Sequence, residues 1–511
     1  MQLQEDIHGW FKGRRVRLTP LEAGCLLLIA VSVVFRIWGL ARLPGFNGDE
    51  AWYGVQALRW ADGAPVDWRT PTGNLVSPIQ FGALALLHLV FDPAPWLLRF
   101  PTLISGLLTI PLVGYVAWRA FGRSAALLAA LLCATLPVNI VHSRFGWDPS
   151  HLGLLAAFAT WGAVRRNLLG VVLPFAFGLW VHPTQVFLAP FLALTFLGAA
   201  LAENRRGRAW AMSGVAIVSL GLCTYALSVI TSGGGGKPPL RDVLFRLTSA
   251  EEWLKQAVAL SRYFPGDTTY EYISGARFPG EPGLWSALFW ALIVTMLAFG
   301  VWKLARSRQW LSLGMVAGAF CTHLAFYLLA GPHMLAPHVE RFGLSLVVPS
   351  LFALVALSTA EVKPPLERVR SLAWCAVALL LLVGYARYDV YAIHETGSTA
   401  HKTFWTGPEE PKVAAVEWIL SQRRPGAPLV IAADEWWTSW LVAYLIWREP
   451  EASHVRMPEG LYPPDTDVFL LGFPGGVEEQ WVKRQGGAQV WERQDVPGYA
   501  REAVISIWRR R

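Results

Sequence analysis

LEAGCLLLIAVSVVFRIWGLA (21–41) runs directly into RLPGFNGDEAWYGVQALRWADG (42–63). The first segment carries only Glu22 and Arg36 as charges and is long enough to cross a bilayer, which takes about 20 residues. Lys12, Arg14, Arg15 and Arg17 precede it, so the N-terminus reads as cytoplasmic. The run includes Arg36 and lacks a small-x-small cleavage site after it, which makes it a retained span rather than a signal peptide. The second segment changes character. Pro44, Gly45 and Gly48 predict a turn, and Asp49 and Glu50 fall where a helix begins, the place the helix dipole favours acids. Trp52, Tyr53, Val55, Leu58 and Trp60 then form an amphipathic stretch. Two carboxylates at the mouth of a span can take a proton from a hydroxyl or hold a cation. An Asp at this position serves equally as a helix cap.

Working outward, the whole chain agrees with a membrane reading. Of 511 residues 54% are hydrophobic and only 16% charged, and the mean hydropathy is +0.38. A soluble domain carries roughly 25% charged residues. Residues 167–202, 282–302, 309–339 and 342–360 contain no Asp, Glu, Lys or Arg. This excludes a cytosolic enzyme, a disordered chain and a nucleic-acid binder. The net charge of +8 sits in basic clusters between apolar runs, as in a polytopic protein orienting itself in the bilayer. The cysteines Cys25, Cys133, Cys223, Cys321 and Cys375 each lie in an apolar run and read as small core residues.

Spans are expected over 21–41, 97–118, 123–141, 150–164, 168–182, 184–201, 209–230, 284–303, 310–330, 342–360 and 371–388. The 14 residues 78–91 (PIQFGALALLHLVF) are short for a span. If they lie along the interface or re-enter, the basic clusters at 119/123, 165/166, 205–208, 303–308 and 363–370 all face the cytoplasm. The expected architecture is an α-helical polytopic membrane protein of about 11 to 13 transmembrane helices. Residues 1–389 form the membrane part, with a first extracytoplasmic loop over 42–96, and 390–511 form a small extracytoplasmic α/β domain. In that tail, apolar runs at 428–432, 466–472 and 502–508 alternate with helix-like stretches at 410–423, 436–447 and 476–486. Its expected role is to cover the site or recruit the acceptor.

With this threading, other chemistry-bearing residues emerge on the same face. HSRFGWDPS (142–150) holds Arg144 and Asp148, which can act at a site or simply pair with each other. His182 sits in a turn before Pro183, and GPHMLAPHVER (331–341) supplies His333, His338, Glu340 and Arg341.

A span ending near an Arg, a Pro/Gly turn and Asp-Glu-Ala-x-Tyr resembles the first extracytoplasmic loop of GT-C glycosyltransferases. The nearest branch is that of protein O-mannosyltransferases and lipid A aminoarabinose transferases. The resemblance continues through LLRFPTLISGLLTIPLVGYVAWRAFGRSAALLAALL (97–132) and HSRFGWDPS, and covers about 1–390 in pattern. It implies the GT-C fold and an enzyme that moves a sugar from a polyprenyl-phosphate donor to a protein, lipid or glycan acceptor. It implies a bacterial inner membrane, with the active site on the periplasmic face. Asp49 matches the catalytic acid, with Glu50 beside it, and Asp148 matches the second-loop acid. Arg144, His182, His338 and Arg341 are the candidates for the donor. The chain departs from relatives in having Ser77-Pro78-Ile79 where many have His-Pro-Pro, and Glu340-Arg341-Phe342 where many have Arg-Tyr. The Trp-Trp-Asp-Tyr-Gly signature of oligosaccharyltransferases is absent.

The physical logic is independent of the resemblance. A lipid donor needs a groove open to the bilayer, Arg matches phosphate oxygens, and a carboxylate at the membrane edge can deprotonate an acceptor. Direct displacement of the lipid phosphate inverts the anomeric carbon. No cofactor is certain. A divalent metal held by Asp49, Glu50, Asp148 and the outward histidines stays open, although a monophosphate donor needs less charge neutralisation than a pyrophosphate. The competing class is a transporter or lipid flippase, which would place acids at mid-membrane depth; none is found there.

Overall fold

The computed structural model describes residues 18–71, 73, 75–202, 214, 217, 220, 221, 240–274, 304, 309–358, 364–395, 402–458, 462–499 and 501–511. Six helices in this set are long and apolar enough to cross a membrane: Pro20–Ile37, Pro95–Phe121, Pro183–Leu201, Trp310–Leu329, Glu340–Ser358 and Arg368–Val390. Shorter apolar helices at Arg123–Thr135, Leu152–Val164 and Leu168–Val181 pack among them. The expected spans 209–230 and 284–303 lie outside the described residues.

Local chemistry sets the helix ends. Thr19 and Glu22 form a capping box at the start of Pro20–Ile37, with Pro20 in the first turn, where its missing N–H costs nothing. The span expected over 123–141 is broken. Arg123–Thr135 stops, Leu136 is extended, and a second helix runs Pro137–His142, because a residue before proline is pushed out of the helical region. The stretch at 78–91 forms a helix over Pro78–His88. Eleven residues rise only ~16 Å, about half the ~30 Å hydrocarbon core. Between the expected spans 209–230 and 284–303, two amphipathic helices occur at Leu240–Thr248 and Ala250–Tyr263. The last long helix continues to Glu395, past the expected boundary at 389.

The C-terminal segment builds a five-stranded sheet from β1 (Leu429–Ala432), β2 (Ala452–Val455), β3 (Asp467–Gly472), β4 (Trp491–Pro497) and β5 (Ala503–Arg510). The order is β2-β1-β3-β5-β4. β1 runs parallel to β2 and β3, and β5 runs antiparallel to β3 and β4. The buried central strands β1, β3 and β5 are the apolar runs read from sequence. β2 and β4 were not, because edge strands lie half in solvent and carry polar residues such as those of WERQDVP. Helices Pro411–Gln422, Trp436–Leu445 and Val477–Arg484 accompany the sheet, and the second of these lies against the first-loop helix Gly48–Ala61.

Candidate active site

The first-loop helix Gly48–Ala61 is held by a buried polar knot. Asn47 caps it: its side chain accepts from the Asp49 N–H, and Glu50 accepts from the Asn47 N–H at 2.8 Å. Asp49 is therefore not the cap, although its position allows it. Glu50 is fully buried and takes a two-pronged ion pair from Arg99, at 2.8 and 3.0 Å. It also accepts the Gly146 N–H at 2.7 Å. Arg99 spends its remaining donors on the carbonyls of Leu40, Leu43, Pro44 and Gly45. One ion pair thus ties the end of the first span, the first loop, the second loop and the span beginning at Pro95. Glu50, expected beside Asp49 in the chemistry, has its oxygens committed to this knot. Its helical position, one residue on from Asp49, turns it about 100° round the axis and into the protein.

Asp49 points the other way. Its carboxylate is reached by solvent yet surrounded by protein, and that desolvation pushes it above the ordinary carboxylate range. The Trp436 indole N–H donates to Asp49 Oδ1 at 2.9 Å, and the Arg341 cation partly counters the desolvation. Trp436 comes from the C-terminal segment, so the tail roofs this carboxylate. The approach is tight: a Cβ at Gly48 would lie 2.4 Å from the Trp436 carbonyl oxygen, and one at Gly54 would lie 2.6 Å from the Tyr444 ring. Only glycine lets the two helices come this close.

Asp148 faces the same helix. Its Oδ2 accepts the Tyr53 hydroxyl, and the Ser77 side chain also lies against the buried carboxylate. Burial pushes Asp148 up to about 7; the Tyr53 hydrogen bond pulls the other way and the Asp49 charge adds to the rise. Arg144 does not pair with Asp148. It is buried and donates to the carbonyls of Phe35 and Leu43, bracing the junction of the first span and the first loop. A guanidinium so deep in the protein is retained only where it can satisfy carbonyls.

The late loop closes the site. Arg341 lies over the Trp147 ring at 5.4 Å and beside Phe342 at 5.2 Å, and donates to the His338 carbonyl at 2.7 Å. His182 sits 5.4 Å from the Phe342 ring, its Nδ1 against the Thr184 hydroxyl at 2.8 Å. His338 is exposed and edge-on to Tyr272 at 4.7 Å. His142, from the second loop, comes within 3.9 Å of Glu340. Arg341 thus lies near enough to Asp49 and to His182 to act on both electrostatically, Asp49 acts in the same way on Asp148, and His338 meets Arg341 through its carbonyl, while Glu50 is committed to Arg99. Sequence reasoning missed Tyr53, Arg99 and Trp436. Tyr53 and Arg99 lie within the quoted stretches, four residues from Asp49 and near the head of the second span; Trp436 has no local signal. Among the described residues no three His, Cys, Asp or Glu side chains converge as a metal site would require. Glu50, one of the acids considered for a cation from sequence, is held by Arg99.

No family model and no curated protein matches the chain. Among solved structures, ArnT from Cupriavidus metallidurans bound to undecaprenyl phosphate is similar over 95% of this chain and 97% of its own, at 13% identity and a TM-score of 0.53. The archaeal oligosaccharyltransferase AglB from Archaeoglobus fulgidus is similar over 84% of this chain and 64% of its own, at 14% identity and a TM-score of 0.47. The likeness to ArnT shows the fold. Over the part of the chain that this likeness covers, the fold is the GT-C fold that the first loop resembles.

Proposed function

We propose that this GT-C chain is a membrane glycosyltransferase that takes a sugar from a polyprenyl-phosphate donor and places it on an acceptor at the extracytoplasmic face of a bacterial inner membrane. The observation that carries the reading is Asp49: a recessed, solvent-reached carboxylate with raised proton affinity, on the fold of a protein crystallised with undecaprenyl phosphate. In the proposed step Asp49 takes the proton of the acceptor hydroxyl or amine. The acceptor heteroatom bonds to the anomeric carbon, and the bond from that carbon to the phosphate oxygen breaks. Polyprenyl phosphate leaves with the electron pair, and the anomeric carbon inverts. Arg341 is the proposed phosphate partner. Among the described residues its polar partner is one backbone carbonyl, which leaves donors of its fork for an anion. Asp148 and Tyr53 position the face of the helix that carries Asp49.

Radiolabelled polyprenyl-phosphate sugars and a membrane extract test the class. Consumption of lipid-linked label with an inverted product is expected; no consumption from any donor sinks the class, and a retained configuration sinks the single displacement. Two further outcomes are expected. Arg341→Ala raises the donor KM about 10–100-fold, the loss of a charge-assisted contact, and Arg341→Lys falls between. An Arg341→Ala enzyme with an unchanged donor KM would remove Arg341 from the donor site. For pH, a carboxylate base must be ionised, so kcat/KM rises with pH. Because burial raises Asp49 and pushes the neighbouring Asp148 up to about 7, the rise lies above the usual carboxylate range. A profile already flat at pH ~4.5, near the ordinary carboxylate values, would contradict this.

A further inference from the structure

We propose that a tryptophan-lined groove between the first loop and the C-terminal helix Trp436–Leu445 binds a saccharide chain, and that this is the acceptor of the transfer. The second clause rests on the glycosyltransferase reading; the first does not. A cavity of about 670 Å³ is lined by Trp436, Trp440 and Trp447. A second, of about 480 Å³, adds Trp52 and Trp68, and both share Trp440. Each volume falls in the usual range for small-molecule sites, roughly 300–1,000 Å³. Trp436 and Trp440 stand edge to face, 5.5 Å apart, so their ring planes lie in different directions. Trp436 is also the residue that hydrogen-bonds Asp49. The groove therefore adjoins the proposed base through Trp436.

The lining chemistry selects the occupant. A pyranose offers C–H faces that stack on indole and hydroxyls that need donors and acceptors beside them. Arg59, Asp434, Ser439 and His454 provide these at the groove wall. Arg456 pairs with Asp434 at 3.4 Å and Arg59 with Asp67 at 3.1 Å. A lipid tail gains nothing from a wall of ion pairs. A peptide added to the sheet would need the free edge of β2, but Ala452 and His454, which line the groove, are alternate residues and so occupy one face of that strand. A stacking ligand uses the face; a strand-adding peptide does not.

The test uses the full-length protein in detergent, without donor. Tetrasaccharides of glucose, mannose and N-acetylglucosamine are titrated while tryptophan fluorescence and heat are followed. At least one is expected to bind the wild type in the millimolar range or tighter. Trp440→Ala is expected to weaken it about tenfold or more, the loss of one stacking face. Ala443→Trp fills the cavity and removes no existing contact, so it guards against a folding defect; it is expected to block binding with undecaprenyl-phosphate affinity unchanged. Three results overturn the proposal: no saccharide binds the wild type, a folded variant binds as the wild type does, or a peptide library saturates the groove where saccharides do not. Failure of the glycosyltransferase reading shows separately, as no donor consumption by a wild type that still binds saccharide.

Discussion

Asp49→Asn lowers the turnover of sugar transfer by about 10²–10⁴-fold, the usual contribution of a positioned general base. The substitution is nearly isosteric, and its amide oxygen can still accept the Trp436 indole N–H that Asp49 accepts at 2.9 Å. The knot below it is untouched, since Asn47, Glu50 and Arg99 keep their bonds. What is lost is the ability to take a proton. Single-turnover kinetics with labelled donor check this: the rate of the chemical step falls, while donor affinity and the thermal midpoint stay at wild-type values. A change confined to KM would make Asp49 a binding group instead. An unchanged rate would remove it from the mechanism.

Arg99→Leu destabilises the protein by about 3–5 kcal/mol, because it leaves the Glu50 carboxylate buried without its cation. Both side chains are wholly shielded from solvent, so water cannot take over from the guanidinium. The substitution also strips partners from the carbonyls of Leu40, Leu43, Pro44 and Gly45, which compounds the loss. The double variant Glu50→Leu/Arg99→Leu is expected to lose less than the sum of its singles, since removing both charges removes the uncompensated one. Unfolding followed by tryptophan fluorescence in detergent measures all three. Strict additivity, or an Arg99→Leu protein as stable as the wild type, would mean the pair does not hold the first loop. Transfer also falls in Arg99→Leu, because the knot aims the Asp49 helix.

Much of the fold was legible because membrane insertion is written in local composition. Charge-free runs mark spans wherever they occur, and the long helices at Pro183–Leu201, Trp310–Leu329 and Glu340–Ser358 fall where such runs lie. The break at Leu136-Pro137 was equally local, a proline effect on its predecessor, but the apolar run across it hid the change of direction. In the tail, buried strands announced themselves by apolar runs, whereas the edge strands β2 and β4 did not. Their conformation is set by the neighbour they pair with.

The sequence by itself determined that this is a helical membrane protein with acids at the mouths of its spans, and it singled out Asp49. Hydropathy, charge bias and turn residues act within a few positions of the chain, so they can be read along it. Only the tertiary structure decided how those acids divide their work. Glu50 is bound by Arg99, 49 residues on, and Asp148 by Tyr53, 95 residues back. Asp49 is roofed by a tryptophan 387 residues further along. A buried carboxylate takes whichever donor the packing brings within hydrogen-bond reach, and that choice depends on distances through space that leave no mark in local sequence.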